Sequence, residues 1–363
     1  MKEIKVWHGH DSITQSRCDL NIIEDEVYLP VIEILNRHSS RWHVLHVALP
    51  SRYLHRLCGS IGGNILQHLD LRPSESRDVY IAKPFSMKCK PSPMHLTLAK
   101  YYLANVDILW NCLTTATLEY IAVDQCLELM RRAPLLETLS LLRVIHPSDV
   151  FPIPTARITL PRLRALEIWI TFTVPGTLMS KILDSMCAPS LEHWEHRVWE
   201  NISSPSSMVS FIGQSSFSLK SLTVDGTMEL YDQLHITLYH LPSLEFLTLG
   251  FSFRIQSPTD QLFVRLCASD QSSPFLPHLH TLVFCPLFMF PWESLPRLFS
   301  SPIRRSMRMK VDQLINVRIM NETVEKLVKL VDEGFHLTIL SKGKVDVLEE
   351  YRKERRLSQT THQ

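Results

Sequence analysis

Two histidine pairs are the first places in this sequence where side chains could share a metal ion. His43-Val44-Leu45-His46 and His193-Trp194-Glu195-His196 both have H-x-x-H spacing. Both stretches read as strands, where residues three apart face opposite sides, so their ring nitrogens do not converge on one ion. His278 and His280 share a face but have no third ligand nearby. Acyl-transfer chemistry would need a nucleophile on a tight turn, and no G-x-S-x-G occurs. With only 10 glycines the chain also has no glycine-rich phosphate cradle. The eight cysteines, at 18, 58, 89, 112, 126, 187, 267 and 285, form no C-x-x-C and no close pairs. They read as free thiols in a reducing compartment. The one basic cluster, Arg304-Arg305-Ser306-Met307-Arg308-Met309-Lys310, lacks interleaved aromatics and reads as a solvated loop rather than a nucleic-acid patch.

Composition narrows the classes further. The chain has 363 residues, 45% of them hydrophobic, and 38 basic residues balance 37 acidic ones to a net charge of +1. That balance argues against a global basic field for nucleic acid or a membrane surface. Met1-Lys2-Glu3-Ile4-Lys5-Val6-Trp7-His8 has no apolar signal core, and no run of about 18 apolar residues follows. The expectation is a cytoplasmic or nuclear protein with protein partners, no membrane, no nucleic acid and no cofactor.

The elements that must position any site are set by a repeat. Leu160-Pro161-Arg162-Leu163-Arg164-Ala165-Leu166-Glu167-Ile168-Trp169 places three apolar side chains on a short extended segment just after a proline. Copies start at Ala133-Pro134, Ala188-Pro189, Leu241-Pro242 and Leu276-Pro277, and Leu219-Lys220-Ser221-Leu222-Thr223-Val224 is the same unit without proline. The first leucines lie at 136, 163, 191, 219, 244 and 279, giving steps of 27, 28, 28, 25 and 35. A period in the twenties headed by L-x-x-L-x-L predicts an α/β fold, an irregular leucine-rich-repeat solenoid with a horseshoe-like parallel sheet and helices on its outer side. Proline ends each helix and biases its predecessor toward extended geometry, so the next strand starts on schedule.

Along the chain, residues 1–25 read as an N-terminal segment with a short strand at Ile4–Trp7, 26–345 as the solenoid and 346–363 as a charged helical or disordered tail. A helix is predicted over Glu26–Arg37, then strands carrying Trp42, Leu45 and Val47, then Leu66–Leu71 and His95–Leu98, with residues 73–93 as an irregular loop. Leu118–Val123 is predicted as the next strand. Helices are predicted over Tyr53–Leu57, Asp124–Arg132, Thr177–Cys187, Ser207–Ile212, Leu230–Tyr239, Thr259–Cys267 and Asn321–Val331. Leu314–Ile319 is read as a weak strand, and His336–Leu340 as the last.

The combination of Arg41-Trp42-x-x-Leu45-x-Val47-x-Leu49-Pro50, the successive [Leu/Ala]-Pro-x-Leu-x-x-Leu units and a closing helix, glycine and strand resembles the leucine-rich-repeat-like region of the large F-box family of mushroom-type fungi. The resemblance covers roughly residues 26–345. It implies a non-catalytic scaffold that recognises the target of a cullin-RING ubiquitin ligase, with an N-terminal F-box holding the ligase adaptor. An F-box needs an amphipathic helical block of about forty residues after its Leu-Pro. Leu29-Pro30 begins one, yet Trp42 follows by only 12 residues, so the expectation is that this chain lacks the F-box and reaches an adaptor only if one lies upstream. The alternatives are a stand-alone binder or decoy, and an enzyme with a Cys or His site in the irregular loops. The position eight after the first leucine departs from the general repeat, with Cys126 in one unit but Val144, Thr171, Trp199, Thr227, Ser252 and Leu287 elsewhere, so no asparagine ladder forms.

What remains as a site is the face turned away from the core. Residues beside the second and third apolar positions point outward, and neighbouring strands bring them about 4.8 Å apart. This predicts rows joining Ala165, Glu167 and Trp169 to His193, Glu195 and Arg197, then to Ser221, Thr223 and Asp225, then to Phe246 and Thr248. Trp169 and Phe246 flanking mixed charges have the makeup of a protein-binding patch.

Overall fold

Alternating apolar residues between prolines make extended segments that cannot bury one face alone, and the chain answers by stacking them. The computed structural model describes residues 3–6, 19–61, 65–73, 84–170, 177–198, 205–226, 228–251, 260–267, 275–285, 292, 295–300, 304–312, 319, 321–341 and 345–360. The chain divides into two compact units, residues 1–168 with 185–188, and residues 169–184 with 189–363.

The first unit starts with β1 (Glu3–Val6), α1 (Asp19–Arg37), β2 (Val44–Leu49), α2 (Ser51–Leu54) and β3 (His68–Pro73). It continues with β4 (Phe85–Ser86), β5 (His95–Ala99), β6 (Val106–Asp107), β7 (Thr115–Glu119), α3 (Val123–Arg132), β8 (Thr138–Val144) and β9 (Ile158–Thr159). The unit boundary then falls inside β10 (Ala165–Ile170), after Ile168. The long strands β1, β2, β3, β5, β7 and β8 pair in parallel in chain order. The side pairings of β4 with β6, and of β9 with β11 (Met186–Cys187), are parallel too.

The second unit holds α4 (Thr177–Asp184), β12 (His193–Val198), α5 (Pro205–Ser215), β13 (Ser221–Gly226), α6 (Met228–Tyr239), β14 (Phe246–Phe251) and α7 (Asp260–Cys267). After these come β15 (Thr281–Cys285), α8 (Leu295–Ser300), β16 (Arg308–Asp312), α9 (Asn321–Asp332), β17 (His336–Leu340) and α10 (Val347–Thr360). Strands β12 to β17 again pair in parallel in chain order. Their inward rows are continuous: Leu222, Leu247, Leu282, Met309 and Leu337 are 0–5% exposed. Val224, Leu249, Phe284, Val311 and Ile339 beside them are fully buried. Each such side chain contributes roughly 1.5–3 kcal/mol of burial, so every repeat is stabilised mainly by its neighbours. Helices cover this inner face, as where Phe211 of α5 meets Trp194 edge-on at 5.3 Å.

Several boundaries differ from the sequence reading. Helix α1 begins at Asp19 rather than Glu26, and the helix predicted to reach Cys187 stops at Asp184, its end becoming β11. The strand read at Leu118–Val123 runs over Thr115–Glu119. Its inward residues are Ala116 and Leu118, with Leu113 as the buried head of the unit. An alanine in the second apolar place disguised the motif. The eighth position of that unit is therefore Ile121, and Cys126 belongs to α3. Of the weak strand read at Leu314–Ile319, residues 314–318 lie outside the described residues, and the strand between β15 and β17 is Arg308–Asp312. Methionines at 307 and 309 carry the apolar alternation there, while Arg308 and Lys310 point outward.

The basic cluster is thus not a solvated loop. Arg304 is 3% exposed, and its Nη1 donates to the Leu276 carbonyl at 2.8 Å while Nη2 donates to the Phe275 carbonyl. It ties the turn that heads one repeat to the turn that heads the next, and burial lowers its pKa from the ordinary arginine value. Arg304→Lys keeps the charge but cannot present two donors in one plane. It is expected to lose about 2 kcal/mol through an orphaned buried carbonyl, read as a lower urea midpoint with an unchanged slope.

The C-terminal segment is a helix rather than disordered over residues 347–360. Leu348 is buried, the Tyr351 hydroxyl donates to Glu325 of α9 at 3.0 Å, and Arg352 pairs with Asp332.

Candidate functional site

Period-two alternation turns every second residue of each strand outward, and the register of the second unit sets these residues side by side. His193 stands beside Ser221 and Ser221 beside Phe246, Glu195 beside Thr223 and then Thr248, and Arg197 beside Asp225 and then Gly250. From β12 to β14 these are the rows the sequence predicts, with Gly250 added beside Asp225. His193 and Phe246 are exposed, Phe246 at 46%, and Glu195, Arg197, Thr223 and Asp225 are half-buried. Trp169, also half-buried, joins through Arg197, whose guanidinium carbon lies 5.8 Å from the indole centre. Glu195 accepts from Arg197 Nε and so holds the guanidinium over the strand. Glu167, half-buried on β10, belongs to the first unit, whereas the other seven predicted residues lie in the second.

Gly250 shapes the row that holds Arg197 and Asp225. A Cβ there would lie 2.9 Å from Asp225 Cγ and 3.1 Å from its Oδ1, so the carboxylate leans across the space that glycine leaves. The patch therefore offers an indole and a phenyl ring, a hydroxyl row from Thr223 and Thr248, and charges already oriented by neighbours. That set suits recognition of a protein surface, with aromatic anchors amid polar groups.

The His193 and His196 pair does not converge on one ion. His193 faces outward, whereas His196 is fully buried beside Trp194, with neither ring nitrogen hydrogen-bonded. Burial alone pushes the His196 pKa down to about 4. His278 and His280 are exposed in the turn before β15 rather than on one strand face. Among the described residues no group of three or more His, Cys, Asp or Glu could hold a metal ion. No described helix is long and apolar enough to cross a membrane. The cleft between α9 and α10 is lined by Glu322, Glu325, Lys326, Asp332 and Arg355, which mix both signs instead of converging on one charge.

The first unit carries an outward face that sequence reasoning did not single out. His46 Nδ1 lies 3.2 Å from Asp70, which also accepts from Arg72 Nε at 2.9 Å. His68 stacks on His95 with ring centres 4.1 Å apart. Burial, then the neighbouring His95 and His46, lowers the pKa of His68. Further along, Tyr120 lies between Lys100 and Arg143, at 5.2 and 4.9 Å from its ring centre. The available signal was His68 and His95 at matching positions of adjacent units, which a register anchored on Leu113 would have extended to the third row.

No protein-family model matches the chain, and a search of curated proteins finds no match.

Proposed function

We propose that the chain is an irregular leucine-rich-repeat solenoid acting as a non-catalytic protein-binding scaffold. In keeping with its resemblance to the F-box family, we assign it to target recognition for a cullin-RING ubiquitin ligase. The observation that carries this reading is the outward face of the second unit, where Arg197 lies beside Trp169 and Asp225 and Phe246 stands two rows away beside Ser221. Two aromatic side chains are presented there, Phe246 on β14 and Trp169 against an Arg197 that Glu195 already orients. A partner side chain would meet a pre-organised surface, and little entropy would be lost in ordering it.

The test is quantitative affinity capture with wild-type chain and with Trp169→Ala. Trp169 is on the outward side, so the variant is expected to keep its far-UV circular dichroism while shedding a defined set of partners about tenfold or more, the loss typical of an interface anchor. A partner set unchanged by Trp169→Ala and by Phe246→Ala would remove this face from the function. Recovery of a ligase adaptor with the wild-type chain supports the ubiquitin assignment, and capture of targets without any adaptor points to a stand-alone binder.

A further inference from the structure

Three consecutive repeats of the first unit break their strands in the same way. Lys100 and Tyr120 follow β5 and β7, Arg143 lies near the end of β8, and their φ angles are 50°, 55° and 56°. They are in register: Ala99 pairs with Glu119 and Glu119 with Leu142. Lys100 N donates to Glu119 O at 2.8 Å and Tyr120 N to Leu142 O at 2.9 Å. Simple alternation would turn these three side chains into the core, because Leu98, Leu118 and Leu141 two residues earlier are fully buried. The left-handed residue inserts one extra outward position. Alternation then resumes with Tyr101, Ile121 and Val144 at 2%, 2% and 0% exposure.

Glycine would adopt this conformation without penalty, and a lysine, a tyrosine and an arginine do not. Asp149, Ser216 and Leu276 also have positive φ, but they are isolated. The stacked three place a phenol ring between two cations. Arg143 Nη1 donates to the Tyr120 oxygen at 2.7 Å and to Glu119 at 3.0 Å, which fixes its position. Arg72, which follows Leu71 where that residue pairs with Leu98, is likewise held by Asp70. Three cations face two carboxylates, and among the described residues Lys100 has no carboxylate partner. Backbone strain of this kind persists where the side chain it displays is used.

We propose that the row Lys100, Tyr120 and Arg143 is a second docking surface, for an extended acidic segment of a protein partner. Its two cations are about two strand spacings apart, roughly 10 Å. A polyproline-type segment repeats every three residues, about 9 Å, so carboxylates three apart in such a segment reach both ends of the row. The surface lies in the first unit and shares no residue with the Trp169 patch, so its failure leaves the scaffold reading standing.

The probe is a fluorescein-labelled peptide of repeating Glu-Pro-Pro, followed by anisotropy against the full chain, with repeating Lys-Pro-Pro as control. Two variants are compared with wild type: Lys100→Glu, and the triple change Lys100→Gly, Tyr120→Gly and Arg143→Gly. Wild type is expected to bind the acidic peptide saturably and the basic one not at all. Lys100→Glu is expected to weaken binding about fivefold, the upper range for one exposed charge pair. The glycine variant is expected to lose binding while its urea midpoint stays level or rises, since glycine relieves the backbone. No saturable binding by wild type overturns the proposal, as does Lys100→Glu protein binding like wild type. If the glycine variant fails to fold, Lys100→Glu decides alone, because it leaves the backbone and core unchanged.

Discussion

Leu166→Asp is expected to abolish cooperative folding of the first unit. Leu166 is 2% exposed in the inward row of β10, with Leu163 and Ile168 fully buried on either side. The substitution removes a buried leucine, which costs about 2–5 kcal/mol. It also puts a carboxylate where no hydrogen-bond donor waits, adding several kcal/mol or a forced protonation. Against a total stability of about 5–15 kcal/mol, that is enough to unfold the unit. The measurement is far-UV circular dichroism with a urea titration. A native spectrum and a midpoint near wild type would mean that Leu166 faces outward. The register of β10 would then be wrong by one residue, and Glu167 with Trp169 would exchange faces with it.

Acid is expected to weaken the second unit through His196. Its folded pKa is about 4, below the ordinary 6.5, because burial disfavours the charged ring. A depressed histidine contributes its stability fully above about pH 6.5, and the contribution fades as pH falls toward 4. At 1.36 kcal/mol per pKa unit the whole effect amounts to about 3 kcal/mol. His196→Leu removes the titrating group and also two buried nitrogens that have no hydrogen-bond partner. The variant is expected to be more stable at neutral pH by about 1–2 kcal/mol. The gap to wild type should then widen steadily from pH 6.5 down to about pH 4. Urea midpoints of both proteins at a few pH values give the difference directly. A constant gap across that range would show that the imidazole reaches water before it is protonated.

The part of the fold legible in the sequence was the part written in leucine. Leu163, Leu191, Leu219, Leu244 and Leu279 marked five strand heads, and because a strand alternates with period two, the outward rows of β12, β13 and β14 followed from counting. The same logic put His193 and His196 on opposite faces, as they are. Where other residues did leucine's work the reading slipped: Ala116 hid β7, and Met307 and Met309 hid β16 behind arginines and a lysine. Arg304 looked like solvent-facing charge because its use is to reach two carbonyls of the preceding repeat, a relation no local pattern encodes. The stacked Lys100, Tyr120 and Arg143 were invisible for a similar reason. Left-handed backbone is normally announced by glycine or asparagine, and here neither is present.

Within each unit, a strand finds its partner one repeat away in sequence: Ser221 meets Phe246, and Thr281 meets Arg308. Loops that short cost little to close, and the cost rises only slowly with length. Folding can therefore proceed as growth at an edge, each new strand laid against a template that its predecessor has just completed. During synthesis, such a chain need not wait for its last residues before its first ones are protected.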